Sequence, residues 1–219
     1  MSAARQQRHS RKAEIVSCFA ELVAERGYDA VSLRDVAEIL GMSKGTILHH
    51  FRSKDRLLER VHSDYMRRRL DEAHAFLARI DSPADQVRAL VYQLMYAQDS
   101  DRAATVAFAR EIVRFASEDV MAEVRRMRDE YSALLRDAIA RGVERGQFAA
   151  ADPAIVALQV FGMCNWSWTW YRPGGSWSPD RIAETFTAVL FRGLAADRRV
   201  KPAAGVPALV RATMDAAGA

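Results

Sequence analysis

The stretch VSLRDVAEILGMSKGTILHHFRSKDRLL, residues 31–58, decides the fold. Its apolar positions recur at helical spacing rather than in alternation, and two helix starts can be read within it. Ser32 stands at an N-cap position for a helix over 33–40, with Val31 and Val36 at the staple positions on either side. Gly41 ends that helix, because glycine enters the left-handed region at least cost. Ser43 then starts a second short helix, and Met42 with Ile47 repeats the staple spacing. Two short helices joined by a glycine-containing turn make a helix-turn-helix.

On a helical wheel, Ile47 and Phe51 form the core face of the second helix. Gly45, Thr46 and His49 fall roughly opposite, with Lys44 and His50 on the flanks. That outer surface is small and hydrogen-bonding, as the edges of bases in a major groove require. Gly45 costs helix stability but removes bulk that would hold the helix away from DNA.

Outward from this stretch the spacing stays helical, and the chain reads as all-α with about nine helices. A first helix covers about Arg8–Arg26, with Ile15, Phe19, Leu22 and Val23 on one face and Gly27 as its stop. A long helix runs over 54–80, with Leu57, Leu58, Val61, Tyr65 and Leu77 on its apolar side. Further helices are expected near 84–97, 102–116 and 119–141, the last closed by Gly142 and Gly146. Cap-then-proline starts at Asp152-Pro153 and Ser178-Pro179 open helices over 153–171 and 179–195. Three regions follow: a helix-turn-helix domain over 8–54, a helical domain over 55–196, and a tail over 197–219. The tail is rich in Ala, Gly and Pro, has little to pack, and is expected to be flexible.

Composition narrows the class. The 219 residues are 50% hydrophobic and 27% charged, as in a globular protein rather than a disordered chain. Cys18 and Cys164 are too few and too far apart for a disulfide framework or a CxxC metal site, which suits a reducing cytoplasm. The basic residues Arg5, Arg8, Arg11 and Lys12 are followed by Glu14, Glu21 and Glu25, which no signal-peptide core tolerates. Pro153–Tyr171 carries no formal charge, yet its Gln, Asn, Ser and Thr fit a buried helix better than a membrane span. The net charge is +4, and residues 1–60 hold 11 Lys+Arg against 8 Asp+Glu, so the excess points the N-terminal end toward a polyanion.

At residues 10–60 the sequence resembles the DNA-binding domain of the tetracycline-repressor (TetR) family of bacterial transcription regulators. The resemblance rests on Glu25-Arg26-Gly27-Tyr28, Ser32-Leu33-Arg34-Asp35-Val36-Ala37, Gly41-Met42-Ser43-Lys44-Gly45-Thr46, His50-Phe51 and Lys54. It implies base-edge contacts for Arg34, Lys44, Gly45, Thr46 and His49, and phosphate contacts for Ser32, His50 and Lys54. The family commonly has tyrosine where this chain has Leu48, so one phosphate contact is expected to be missing. The first arginines either track the DNA backbone or minor groove or form a solvated arm. His62 and His74 read as solvated surface rather than metal ligands.

The resemblance also implies a C-terminal domain that dimerises and binds a small ligand. Tyr92, Met95 and Tyr96 form one helical stripe, and Phe108, Ile112 and Phe115 another; each reads as core or as pocket lining. The segment 162–175 holds Trp166, Trp168 and Trp170, followed by Arg172. Trp166 and Trp170, four apart on a helix, form with Arg172 either the mouth of a pocket or an aromatic dimer interface. Asn-Trp-x(3)-Trp-Tyr-x-Pro-x-Gly resembles a TetR subgroup that controls fatty-acid or sterol catabolism and releases DNA on binding acyl-CoA thioesters. The expectation is a cytoplasmic homodimeric repressor, with operator DNA and an acyl-CoA or other hydrophobic effector as partners, and no cofactor or membrane. A regulator of efflux or stress genes is the second reading. An all-α acyl-thioester enzyme or a helical adaptor is third, since no nucleophile–base pair or phosphate loop is present.

Overall fold

The computed structural model describes residues 3–115, 119–194 and 203–217. The described residues form ten α-helices: α1 (Ala3–Arg26), α2 (Leu33–Ile39), α3 (Lys44–Phe51), α4 (Lys54–Leu77), α5 (Pro83–Ser100), α6 (Arg102–Phe115), α7 (Ala122–Glu144), α8 (Pro153–Asn165), α9 (Pro179–Leu194) and α10 (Val206–Ala217). Short 3-10 turns lie at Asp119–Met121 and Trp166–Thr169, and the described residues form no strand. The backbone packs into two compact units, Met1–Met66 with Arg102–Arg126, and Arg67–Asp101 with Met127–Ala219.

In the first unit, Ile15, Phe19 and Val23 of α1 bury against the helix-turn-helix, whose own Val31, Val36 and Ile47 are buried, as are Leu57 and Leu58 at the start of α4. Each such side chain contributes roughly 1.5–3 kcal/mol. These are the positions the helical spacing picks out. Helix α6 packs against α1 and so belongs to this unit. Within it, Phe108 stacks near Tyr65, with ring centres 4.9 Å apart, and meets the edge of His62 at 5.2 Å. His62 is not solvated surface: it is fully buried, and burial pushes its pKa down to about 4, so the ring is neutral at pH 7.

Helix α5 is the centre of the second unit. Nearly every residue from Pro83 to Gln98 is buried, because α8, α9 and α10 all pack on it. A helix apolar on one side only does not need so many neighbours.

Several expectations from sequence change here. Helix α1 begins at Ala3, so Arg5 and Arg8 stand on helical backbone rather than on an extended arm. Helix α4 stops at Leu77 and closes in a turn. Gly142 does not end α7, which runs on to Glu144; a β-carbon at 142 would lie 2.2 Å from the Phe148 ring, so this glycine makes room for an aromatic. Gly146, at φ +68°, makes the actual stop.

The largest change is at the C-terminus. Residues 197–202 lie outside the described residues, but 206–217 form α10, not a flexible tail. Val206, Val210 and Met214 recur every fourth residue and are buried, giving the segment the apolar stripe that its Ala and Gly content conceals. Polar contacts add to this. Asp85 accepts from the Ala203 N–H at 2.7 Å, and Arg211 donates to Asp180 at 2.7 Å and to the Tyr96 hydroxyl at 3.1 Å.

Candidate nucleic-acid interface

The helix-turn-helix is built by its caps. Ser32 Oγ accepts from the Asp35 N–H at 3.3 Å while the Asp35 carboxylate accepts from the Ser32 N–H at 2.6 Å, a reciprocal capping box. These bonds hold the Asp35 carboxyl below its ordinary pKa. Ser43 Oγ accepts from the Thr46 N–H at 3.1 Å and starts α3. Caps of this kind contribute about 1 kcal/mol each. They fix the angle at which α3 leaves the turn, with Ile47 fully buried beneath it.

Lys44, Gly45, Leu48 and His49 are exposed on α3, and Thr46 and His50 are half-buried. A β-carbon at Gly45 would meet only Ser43 Oγ, at 3.5 Å, so packing does not demand glycine there. Its smallness matters to whatever lies outside. Leu48, 36% exposed, presents an apolar contact and no hydroxyl. Ser32, Arg34, Lys44 and Lys54 line one shallow concavity of about 550 Å³, together with Asp29, Val31 and Leu33. Four of the eight residues assigned to DNA thus converge on one basic recess beside the exposed face of α3.

Two features of this site were not legible in sequence. Lys54 Nζ donates to the Tyr28 carbonyl at 2.5 Å and lies 3.8 Å above the Tyr28 ring centre. Arg52, between α3 and α4, sits at φ +65° and ψ −40°, with the Ser53 N–H bonded to the Phe51 carbonyl at 2.7 Å. This is a γ-turn of the strained hand, and such a conformation costs a non-glycine residue about 1–3 kcal/mol. Arg52→Gly is expected to stabilise the fold by about 1 kcal/mol after the flexibility of glycine is discounted, seen as a rise of about 2–4 °C in Tm. An unchanged or lower Tm would show that the surroundings carry no strain at this residue.

The candidates for ligand contact are dispersed. Tyr92 and Met95 are fully buried on α5, and Tyr96 is nearly so. The Tyr92 and Tyr96 rings meet edge to face at 5.8 Å, and the Tyr96 hydroxyl donates to Asp180 at 2.5 Å. Phe108 lies in the other unit, and the side chains of Ile112 and Phe115 are outside the described residues. Trp166 and Trp170 do not share a helical face, because α8 ends at Asn165. The Ser167 hydroxyl takes the Cys164 carbonyl and the Thr169 hydroxyl takes that of Trp166, drawing the chain into a 3-10 turn. Trp166 is 65% exposed, whereas Trp170 packs edge-on against Trp177 and Phe186. Arg172 folds back onto the carbonyls of Thr169 and Tyr171. Tyr171, the tyrosine of the Trp-Tyr pattern, anchors the segment: it is buried and its hydroxyl donates to Asp99 at 2.7 Å.

A capped helix-turn-helix with an exposed second helix beside a basic recess defines a DNA-binding protein of the groove-reading kind. Residues 19–61 match the family described as "Bacterial regulatory proteins, tetR family", and residues 80–194 match "Tetracyclin repressor-like, C-terminal domain". The chain belongs to the TetR family of DNA-binding transcription regulators. It is 27% identical over 187 residues to the HTH-type transcriptional repressor KstR2 of Rhodococcus jostii (strain RHA1), covering 84% of this chain and 91% of that one. Its fold is similar to that of the ketosteroid transcriptional regulator KstR2 of Mycobacterium tuberculosis, with a TM-score of 0.76 at 24% identity, covering 84% and 95% of the two chains. It is also similar to AibR in complex with isovaleryl coenzyme A and operator DNA, with a TM-score of 0.77 at 22% identity, covering 84% and 99%. Among the described residues no helix is long and apolar enough to cross a membrane.

Proposed function

We propose that the chain is a cytoplasmic homodimeric repressor that reads a palindromic operator through residues 8–54 and is released by an acyl-CoA thioester bound within residues 55–196. The observation that carries the DNA reading is the convergence of Ser32, Arg34, Lys44 and Lys54 on one recess beside α3. Arg34, Lys44, Gly45, Thr46 and His49 approach base edges; Ser32, His50 and Lys54 bind phosphate. Two copies of α3 related by a two-fold axis meet successive major grooves about 34–36 Å apart. A gel shift on DNA upstream of the protein's own coding sequence tests this. Arg34→Ala is expected to cost about 1–3 kcal/mol per half-site and to relax base choice. Unchanged affinity and base preference in that variant would remove Arg34 from the interface.

The dimer reading is supported by α8 and α9, which both pack on α5 and leave apolar side chains in the open. Ile155 and Leu158 on α8 are 66% and 69% exposed, Trp166 in the turn that follows is 65% exposed, and Val189 on α9 is 63% exposed. Ile155 and Leu158, three residues apart, share one stripe of α8. Two such stripes facing their symmetry mates form an isologous interface. In this arrangement Trp166 belongs to the dimer face.

The effector reading is supported by the similarity to KstR2 and by the coenzyme A thioester in the AibR complex. Trp170 and Arg172, with Tyr92, Met95 and Tyr96 of the same unit, supply aromatic, apolar and cationic chemistry suited to adenine, an acyl chain and phosphate. A coupling of about 1–3 kcal/mol between effector and DNA changes operator affinity by about 5–150-fold. Titrating the operator complex with medium-chain, long-chain and steroid-derived acyl-CoAs is expected to release DNA, while CoA alone and the free acids release less. Release by free acids or unrelated hydrophobic compounds, with every thioester inert, would favour the efflux or stress reading instead.

A further inference from the structure

Lys54, at the start of α4, reaches back to the turn after α1. Its ammonium bonds the carbonyl of Tyr28 and lies over the ring of the same residue, so the position of Tyr28 sets the position of the charge. Tyr28 is buried and is fixed from several directions. Its hydroxyl donates to Asp55, its ring meets the edge of Phe19, and its N–H donates to Glu111 Oε1 at 2.9 Å. Glu111 is a buried residue of α6, 83 positions further along the chain.

The neighbouring residue on α6 strengthens the same junction. Arg110 donates to the Ala24 carbonyl at 3.0 Å and to that of Glu25 at 3.4 Å, capping the end of α1. Gly27 makes this approach possible. It sits at φ +82°, and a β-carbon there would lie 2.9 Å from Arg110 Nη2. The turn after α1 is therefore shaped to receive α6, and both belong to one compact unit.

We propose that Glu111 is a positioning residue for operator binding: through Tyr28 it holds the Lys54 ammonium at the rim of the basic recess. A carboxylate accepting a buried backbone N–H makes a charge-assisted bond, stronger than a neutral pair and sensitive to the placement of the acceptor. Any shift of α6 along or away from α1 moves that acceptor and loosens Tyr28, and the cation follows. Helix α6 thus acts on a DNA contact without touching DNA. The inference rests on the reading of Lys54 as a phosphate contact.

The salt dependence of operator affinity tests both. Each phosphate neutralised adds about 0.9 to the slope of log K against log[salt]. Using the full-length chain, Lys54→Ala is expected to lower the slope by about one per subunit. Glu111→Ala should lower it by a similar amount, whereas Glu111→Gln, which keeps an acceptor oxygen in place, should retain the original slope. Glu111→Ala combined with Lys54→Ala should bind no worse than Lys54→Ala alone, because both changes remove one contact. If Glu111→Ala fails to fold, Glu111→Asp gives the same reading, since it keeps the charge but withdraws the acceptor by one methylene. An original slope in Glu111→Ala or Glu111→Asp, with Lys54→Ala lowering it, overturns the proposal alone, as does a fully additive double variant. An original slope in Lys54→Ala overturns the proposal together with the phosphate assignment beneath it.

Discussion

Leu158→Glu is expected to convert the protein to a monomer and to lower its operator affinity by about 10²–10⁴-fold, the gain that linking two half-site contacts provides. Leu158 is 69% exposed on α8, on the stripe shared with Ile155. Across a two-fold axis a single substitution enters the interface twice, so two carboxylates lose water where apolar side chains meet. Each monomer keeps its recognition helix, since the change lies outside the unit that contains α3. Sedimentation and a gel shift on the same preparations check this. Arg34→Ala serves as the converse, remaining a dimer while binding DNA poorly. A Leu158→Glu protein that stays dimeric and binds its operator fully would move the interface off α8.

Arg69→Met is expected to destabilise the protein by about 3–5 kcal/mol, the cost of leaving a buried carboxylate without its cation. Arg69 and Glu72 are both nearly inaccessible, with Nη2 and Oε1 2.9 Å apart. Gln93, fully buried, donates to the Arg69 carbonyl and to Glu72 Oε2, each at 2.8 Å, and accepts from the Tyr131 hydroxyl at 2.7 Å. Burial already pushes the Glu72 carboxyl up, with Arg69 as the first influence holding it down. Removing that cation raises it further. A carboxyl whose folded pKa lies above its unfolded one binds more protons in the native state, so stability falls as pH climbs between the two values. The deficit of Arg69→Met should therefore be smallest below the ordinary carboxylate range and grow toward neutrality. Glu72→Gln in the same chain should recover much of the loss at pH 7, because the neutral amide can still accept from Gln93. Denaturant melts at acid and neutral pH measure both effects; a deficit independent of pH would mean that the lost packing of the arginine stem, not the stranded charge, is responsible.

The helix-turn-helix was legible because its signals are local. Ser32, Gly41, Ser43 and Ile47 specify caps, turn and buried face within a few residues of one another, and the structure places each as expected. The link from Glu111 to Tyr28 spans 83 positions and leaves no trace in the periodicity of either helix. His62 misled for a related reason: one polar residue on a long helix looks exposed until Phe108 is found packed against it. The helix over 153–171 stops early, at Asn165, because the Ser167 and Thr169 hydroxyls bond backbone carbonyls where the chain tightens into a 3-10 turn. Composition hid α10, since its stripe needs only Val206, Val210 and Met214, spread among small residues.

The C-terminal helix separates two meanings of the word domain. The stretch shared with the family ends at residue 194, yet the folded body extends to α10, whose apolar stripe is buried and whose Arg211 joins Tyr96 and Asp180. A fragment cut at the end of that stretch would carry the family pattern and still bare one flank of its central helix. The stretch that matches the family and the stretch that packs around α5 are different lengths of polypeptide. The twelve residues of α10 lie beyond the matched stretch, so a fragment meant to keep its fold has to include them.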